Sequence, residues 1–305
     1  MSRILVIRGG AIGDFILTLP ALKLLRDAFP SAHLEVLGYK HIIALAEMSG
    51  YANATRSIEY ARLSSFFSRD GELAPELVDY FGGFQQVVSY LFDPDQIFAS
   101  NLRRAGVRNF VAGSPKITDQ EHAARQLARP LERVALYLDD PDAILRPEEA
   151  RKVDPSLIAL HPGSGSETKN WPLERWVAVA ESLLSAGPGR RLLLVGGEAD
   201  TERVTRLRVL LPNERVRFAQ NLSLVELAGC LQSCALFLGH DSGISHLAAA
   251  VGTPCLLLFG PTDPAIWAPA NPQVRVLRAP SLAMDGISLA DVMAAVDAAL
   301  WATRE

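Results

Sequence analysis

The feature that most constrains this chain is an alternation of short β-branched runs, Gly-rich turns and apolar-periodic helices that occurs in two series. RILVIR (residues 3–8) reads as a strand, GGAIGD follows, and FILTLPALKLLRDAF reads as a helix stopped by Pro30. Pro20 lies inside that helical pattern and predicts a kink or a late start. HLEVLGY is a second strand, and residues 41–51 form a helix closed by Gly50. The pattern then weakens: residues 85–92 and 109–114 read as strands, and 121–138 as helical. Residues 138–156 are charged, Pro-bearing and weakly periodic, which marks a linker. Beyond them come LIALHPGS, a helix from Pro172 to Ala186, RLLLVGG, a helix from Thr201, VRFAQ and a helix over 224–232. ALFLGHDSG, the helix ISHLAAAVG, PCLLLFGPTDP and an amphipathic tail over 288–302 complete the series.

Strands that alternate with helices form parallel sheets covered on both faces. Two such series predict an α/β chain of two Rossmann-like domains, residues 1–150 and 157–285, with a cleft between them. Ligands of open α/β sheets bind beyond the carboxyl ends of the strands. The informative residues are therefore those just after each strand.

Composition narrows the function. The 305 residues carry a net charge of −4, with no Lys/Arg run longer than two. A nucleic-acid partner would call for a basic stripe, so none is expected. Only four apolar residues separate Arg3 from Arg8, too few for a signal peptide, and no long uninterrupted apolar stretch predicts a membrane span. Three cysteines, an odd number, predict reduced thiols in the cytoplasm. Cys230 and Cys234 are expected on one helix and Cys255 in a strand, as small core residues rather than metal ligands.

Four loops carry the chemistry. In Gly9-Gly10-Ala11-Ile12-Gly13-Asp14, the first Gly of a dinucleotide fingerprint is replaced by Arg8, although Glu35 falls where a ribose-binding acid would lie. Asp14 is either a helix cap or a general base at a cleft mouth. His161–Pro172 (HPGSGSETKNWP) places small residues and Lys169 after a strand; it is an anion site or a plain turn, and it is no Walker loop. Gly239–His246 (GHDSGISH) opens a helix whose N-terminus favours phosphate, with Asp241 suited to sugar hydroxyls. A metal site from His240, Asp241 and His246, or a capped helix with a structural His, are the other readings. A Ser-His-Asp hydrolase is disfavoured because no G-x-S-x-G elbow is present. Phe259–Pro264 ends another strand, and Thr262 either contacts ligand or belongs to a rigid turn. The triplets Asp93-Pro94-Asp95 and Asp140-Pro141-Asp142 read as turns.

Three blocks together resemble glycosyltransferase family nine, the ADP-heptose:lipopolysaccharide heptosyltransferases: RILVIRGGAIGDFILTLPALKLLRDAFP, IALHPGSGSETKNWPLERW and FLGHDSGISHLAAAVGTPCLLLFGPTDP. The resemblance implies a GT-B fold, with the acceptor on the first domain and the sugar nucleotide on the second. It implies that the last helix, residues 286–305, packs back on the N-terminal domain. It implies an inverting transfer without metal or cofactor, the ADP-sugar being a co-substrate. Asp14 matches the base, and Ser164, Ser166 and Lys169 the donor-phosphate contacts. Asp241, Ser242, Gly243, His246 and Thr262 match contacts around the sugar and diphosphate. Glu202 fits the ribose-binding position, with Glu198 the alternative. Gly10, Arg62, Arg103 and Arg104 are the acceptor candidates, with Arg69 nearby. The chain departs from the family in its shorter N-terminal half and thinner basic cluster. A saccharide or lipid-linked saccharide acceptor is implied, and the latter would require transient contact with the inner face of the membrane. Two other readings remain: a catalytically silent sugar-nucleotide-binding protein, and an NAD-dependent oxidoreductase.

Overall fold

β1 (Arg3–Arg8) is buried from Ile4 onward, as an aliphatic run covered on both faces must be. In the computed structural model, which describes residues 2–211 and 214–302, it is the middle strand of a parallel sheet. β2 (His33–Gly38), β3 (Ala54–Ser57), β4 (Gln86–Ser89) and β5 (Phe110–Ala112) complete that sheet in the order β3-β2-β1-β4-β5. Its helices are α1 (Ile12–Ile16), α2 (Leu19–Ala28), α3 (Lys40–Met48), α4 (Pro75–Gly82), α5 (Ile97–Arg104) and α6 (Ala123–Ala128). Pro20 stands in the first turn of α2, so it acts as a late start. The expected helix over 121–138 is shorter: α6 ends at Ala128 and a 3₁₀ turn, Arg129–Val134, follows. Pro130 lacks the N–H an α-helical ladder needs there. The stretch that showed no clear pattern packs through Phe66, Phe81, Phe84 and Phe98 instead.

The second sheet contains β6 (Asp154–Leu160), β7 (Arg191–Gly196), β8 (Val216–Gln220), β9 (Cys234–His240), β10 (Cys255–Phe259) and β11 (Val274–Arg278). Its order is β11-β10-β9-β6-β7-β8, the doubly wound Rossmann arrangement. Its helices are α7 (Leu173–Ser185), α8 (Thr201–Leu210), α9 (Leu224–Gln232), α10 (Gly243–Ala250), α11 (Pro264–Trp267) and α12 (Leu289–Ala302). Cys230 lies on α9 but Cys234 opens β9, so the two do not share a helix as expected.

The chain divides into two compact units, Met1–Pro141 and Asp142–Glu305. The segment expected as a linker is tied to the second unit early. The Leu145 N–H donates to Ala250 O at 2.8 Å, Asn271 Nδ2 donates to Ala143 O at 2.9 Å, and Ala143 and Leu145 are buried. The last helix contributes to the core of the second unit. Val292, Val296, Ala299 and Leu300 join the second unit's core, with Trp171, Trp176 and the β9–β10 aliphatics, because α12 offers them an apolar stripe. Among the described residues no helix is long and apolar enough to cross a membrane.

Candidate active site

Each sheet has one point where the strand order reverses, and loops that leave adjacent strands there enclose a crevice. In the first unit this point lies between β1 and β4. Gly10 turns the chain with φ +103°, and Asp14 then sits in the first turn of α1. Asp14 Oδ2 accepts the Ala11 N–H at 2.9 Å, so the carboxylate caps its own helix while its side chain stays 34% exposed. Beneath it lies Arg8, almost wholly buried. Arg8 Nη2 is 3.7 Å from Asp14 Oδ1 and donates to Asp14 O at 3.3 Å; Nε donates to Thr18 Oγ1 at 3.0 Å. Burial lowers the Arg8 pKa and the Asp14 charge works against that shift, leaving a guanidinium that is always protonated. Glu35 is not at a strand end. It is buried within β2, where Tyr80 Oη donates to it at 2.8 Å and Arg3 and Arg56 flank it, so it cannot serve a dinucleotide ribose.

In the second unit the reversal lies between β6 and β9. The loop after β6 carries Ser164, Ser166 and Lys169; the loop after β9 carries Asp241 and Ser242. The structure brings the two together. Lys169 Nζ donates to Asp241 Oδ2 at 2.6 Å, and Thr262 Oγ1, from the loop after β10, donates to the same oxygen at 2.8 Å. Ser242 caps α10 by accepting the Ser245 N–H at 3.3 Å, and Gly243 opens that helix, leaving early N–H groups at the crevice. His246 is buried one turn further on. Ser164 Oγ lies 2.8 Å from both Ser166 O and Asn170 Oδ1, so it shapes the loop from within. Ser166 Oγ is 3.0 Å from Thr168 Oγ1.

Two buried imidazoles hold these loops. His240 Nε2 accepts the Trp171 N–H at 2.9 Å, and Nδ1 lies 3.3 Å from Gly163 O. Both ring nitrogens are occupied, which rules out the metal site considered for His240, Asp241 and His246. His161 Nε2 donates to Asp200 Oδ2 at 3.1 Å, and its Nδ1 lies 3.3 Å from Ser242 Oγ. Burial works against the Asp200 charge, but the His161 hydrogen bond and the Gly197 N–H outweigh it and hold its pKa below the usual carboxylate value. Asp200 packs so closely that a Cβ on Gly163 would meet its Oδ1 at 1.7 Å, which explains the glycine in HPG.

A cavity of about 320 Å³ beside this loop is lined by Ser166, Asn170, Asp200, Glu202, Arg203 and Arg206. Glu202 therefore faces the cavity wall, whereas Glu198 is not among its lining residues. In the first unit a cavity of about 500 Å³ at the ends of β4 and β5 is lined by Phe92, Asp93, Arg103, Phe110 and Arg133, among others. The Asp93 carboxylate accepts the Phe98 and Ala99 N–H groups, so that triplet is a cap for α5. The acceptor arginines are not gathered. Arg62 pairs with Glu76 at 2.5 Å beside a different cavity, and Arg104 donates to Asn101 Oδ1 and Gly71 O.

Comparison with known proteins fits this layout. Residues 114–292, more than half of the chain, match glycosyltransferase family 9 (heptosyltransferase). The chain belongs to glycosyltransferase family 9. It is thus a glycosyltransferase, with two Rossmann-like parallel α/β units of the GT-B fold. Lipopolysaccharide heptosyltransferase 1 of Pseudomonas aeruginosa is 28% identical over 86% of this chain and 79% of its own length. Among solved structures, a family 9 glycosyl transferase of Veillonella parvula superposes with a TM-score of 0.80 at 20% identity, covering 98% of this chain and 97% of that one. The ADP-heptose heptosyltransferase II of Escherichia coli superposes with a TM-score of 0.79 at 16% identity, covering 100% of both chains. These structural likenesses carry the fold.

Several residues of this candidate site carried no readable sequence signal. Arg8 reads only as the break in a fingerprint. His161 follows a strand and His240 ends one, but nothing local tells a loop-holding imidazole from a ligand. Asp200 and Arg203 lie three residues apart around the start of α8, and Arg203 pairs with Glu167 across the cavity. Only a fold that sets β7 beside β6 makes that contact.

Proposed function

We propose that this family 9 enzyme moves a heptose, or a closely similar sugar, from an ADP-sugar to a lipopolysaccharide-core or related saccharide, inverting the anomeric centre and using no metal ion. The observation that carries the reading is the convergence of Lys169, Asp241 and Thr262 beside the first N–H groups of α10: a cation and neutral donors for a diphosphate adjoin a carboxylate for sugar hydroxyls. The choice of ADP-heptose follows the names of the Pseudomonas and Escherichia relatives.

In this reading Asp14 takes the proton of an acceptor hydroxyl. The freed oxygen attacks the anomeric carbon from the face opposite the leaving group. The bond from that carbon to the phosphate oxygen breaks, and its electron pair leaves with ADP. Negative charge grows on the diphosphate, and Lys169, with the N–H groups of Gly243 and Ile244, meets it. One donor placed where charge develops is worth about 3 kcal/mol. Ser164 and Ser166 shape the phosphate loop, Glu202 holds the ribose, and Ser242 and His246 support the α10 end. Gly10 makes room for the Asp14 carboxylate. On the acceptor side Arg103, joined by Arg133, lines the cavity near β4, and the exposed Phe92 ring offers a face for a sugar. The free thiols of Cys230, Cys234 and Cys255 suit a cytoplasmic enzyme.

The test is a mass-spectrometric transfer assay with ADP-, GDP- and UDP-sugars and lipopolysaccharide from strains truncated in the core. The expected result is heptose transfer from ADP-heptose that persists in excess EDTA and gives the inverted anomer. Loss of transfer with EDTA, a retained anomer, or binding without transfer to any acceptor would each overturn the corresponding part.

A further inference from the structure

The Lys169 ammonium cannot stay where it is and also give its full charge to a diphosphate. It lies 2.6 Å from Asp241 Oδ2, and the Asp241 side chain is only 10% exposed, so water screens the pair weakly. The Thr262 hydroxyl falls on the same oxygen at 2.8 Å. Both donors thus crowd the same carboxylate oxygen.

We propose that Asp241 competes with the diphosphate for Lys169, and that this competition makes the site hold an intact sugar nucleotide in preference to a bare nucleoside diphosphate. The proposal rests on the donor-site reading above and adds a device for product release. An intact donor brings sugar hydroxyls that can donate to Asp241 in place of the ammonium, so Lys169 can turn to the phosphates. A nucleoside diphosphate brings no such hydroxyls. Once the sugar has been transferred, Asp241 loses its new partners and reclaims Lys169, which loosens the spent nucleotide. The carboxylate that helps to hold the substrate therefore helps to expel the product.

The experiment measures binding of ADP by calorimetry to the wild-type chain, Asp241→Asn, Lys169→Met and the double variant. Asp241→Asn is expected to bind ADP about ten-fold more tightly than wild type, the scale of one charge-assisted hydrogen bond. In the Lys169→Met background the same change is expected to shift ADP affinity by no more than about two-fold, because the contested cation is gone. Turnover of the ADP-sugar by Asp241→Asn is expected to fall. Thermal unfolding checks that the variants fold, and Asp241→Ser replaces Asp241→Asn if the latter does not. Unchanged or weaker ADP binding by a folded Asp241 variant overturns the proposal, since a purely structural or sugar-holding role predicts that outcome. An equal gain in both backgrounds overturns it too, since plain repulsion would suffice. In the wild type, ADP must bind several-fold more weakly than ADP-heptose; equal affinities overturn the proposal whatever the variants do. If the wild type binds no nucleoside diphosphate at all, the donor-site reading itself fails and takes the proposal with it.

Discussion

The Trp171 N–H donates to His240 Nε2 at 2.9 Å, while the opposite nitrogen of the same ring faces Gly163 O at 3.3 Å. One imidazole thereby ties both ends of the loop after β6, and only the neutral tautomer protonated on Nδ1 can do so. Burial lowers the His240 pKa to about 3, against the weaker opposing pull of the Gly163 carbonyl. The unfolded chain takes up this proton near pH 6.5, so the folded pKa lies below the unfolded one. Protons then favour the unfolded state, and stability is full above that pH and falls as pH drops toward the folded value. The slope for this one group approaches about 1.4 kcal/mol per pH unit. Urea unfolding of the wild type should lose stability between about pH 7 and pH 5, and His240→Gln should lose distinctly less. Equal losses would mean that His240 is not the titrating group.

Gly10 and Asp14 are matched. At φ +103° a side chain is strained, and a Cβ there would stand 2.8 Å from Asp14 Oδ2. Gly10→Ala should lower stability by about 1 kcal/mol. It should also push the carboxylate from the Ala11 N–H, with kcat falling about 10- to 100-fold, as for a catalytic group moved by about an ångström. Steady-state kinetics beside thermal melts separates the two effects. Normal kcat in a destabilised protein would mean that the carboxylate tolerates the shift.

Asp14→Asn keeps the size of the side chain and removes its basicity. Transfer should fall about 10²- to 10⁴-fold, with the melting temperature little changed and ADP-sugar binding intact. Near-normal turnover by a folded variant would take Asp14 out of the base role.

Glu202 and Glu198 can be told apart by nucleotide binding. Glu202 lines the cavity with Ser166 and Arg203, so Glu202→Gln should weaken ADP binding about ten-fold through a lost charged hydrogen bond. Glu198→Gln should change it by no more than about two-fold. The reverse ranking by calorimetry would move the ribose contact to Glu198.

Much of the site could be read without coordinates because its chemistry sits directly after strands. Gly10 and Gly163 mark backbone that must turn tightly or admit another atom, and Lys169, Asp241 and Thr262 stand out among small residues. What escaped reading is whatever acts at long range. Arg62 and Arg104 are identical to Arg103 as letters, yet only Arg103 lines the cavity near β4; the other two are spent on Glu76, and on Asn101 and Gly71. The packing of the last helix within the second unit is likewise a long-range matter. Its apolar stripe shows that α12 packs against something, and only the core around Trp171 and Trp176 shows what.

The sequence alone determined the two parallel α/β series, because hydrophobic periodicity and Gly/Pro punctuation act within a few residues of chain. It also determined which loops hold polar groups. Only the tertiary structure decided that β6 lies beside β9 and β1 beside β4, since strand order follows from packing of whole faces rather than from any local pattern. That order brings Lys169 to Asp241 across 72 residues and turns two separate loops into one charged site.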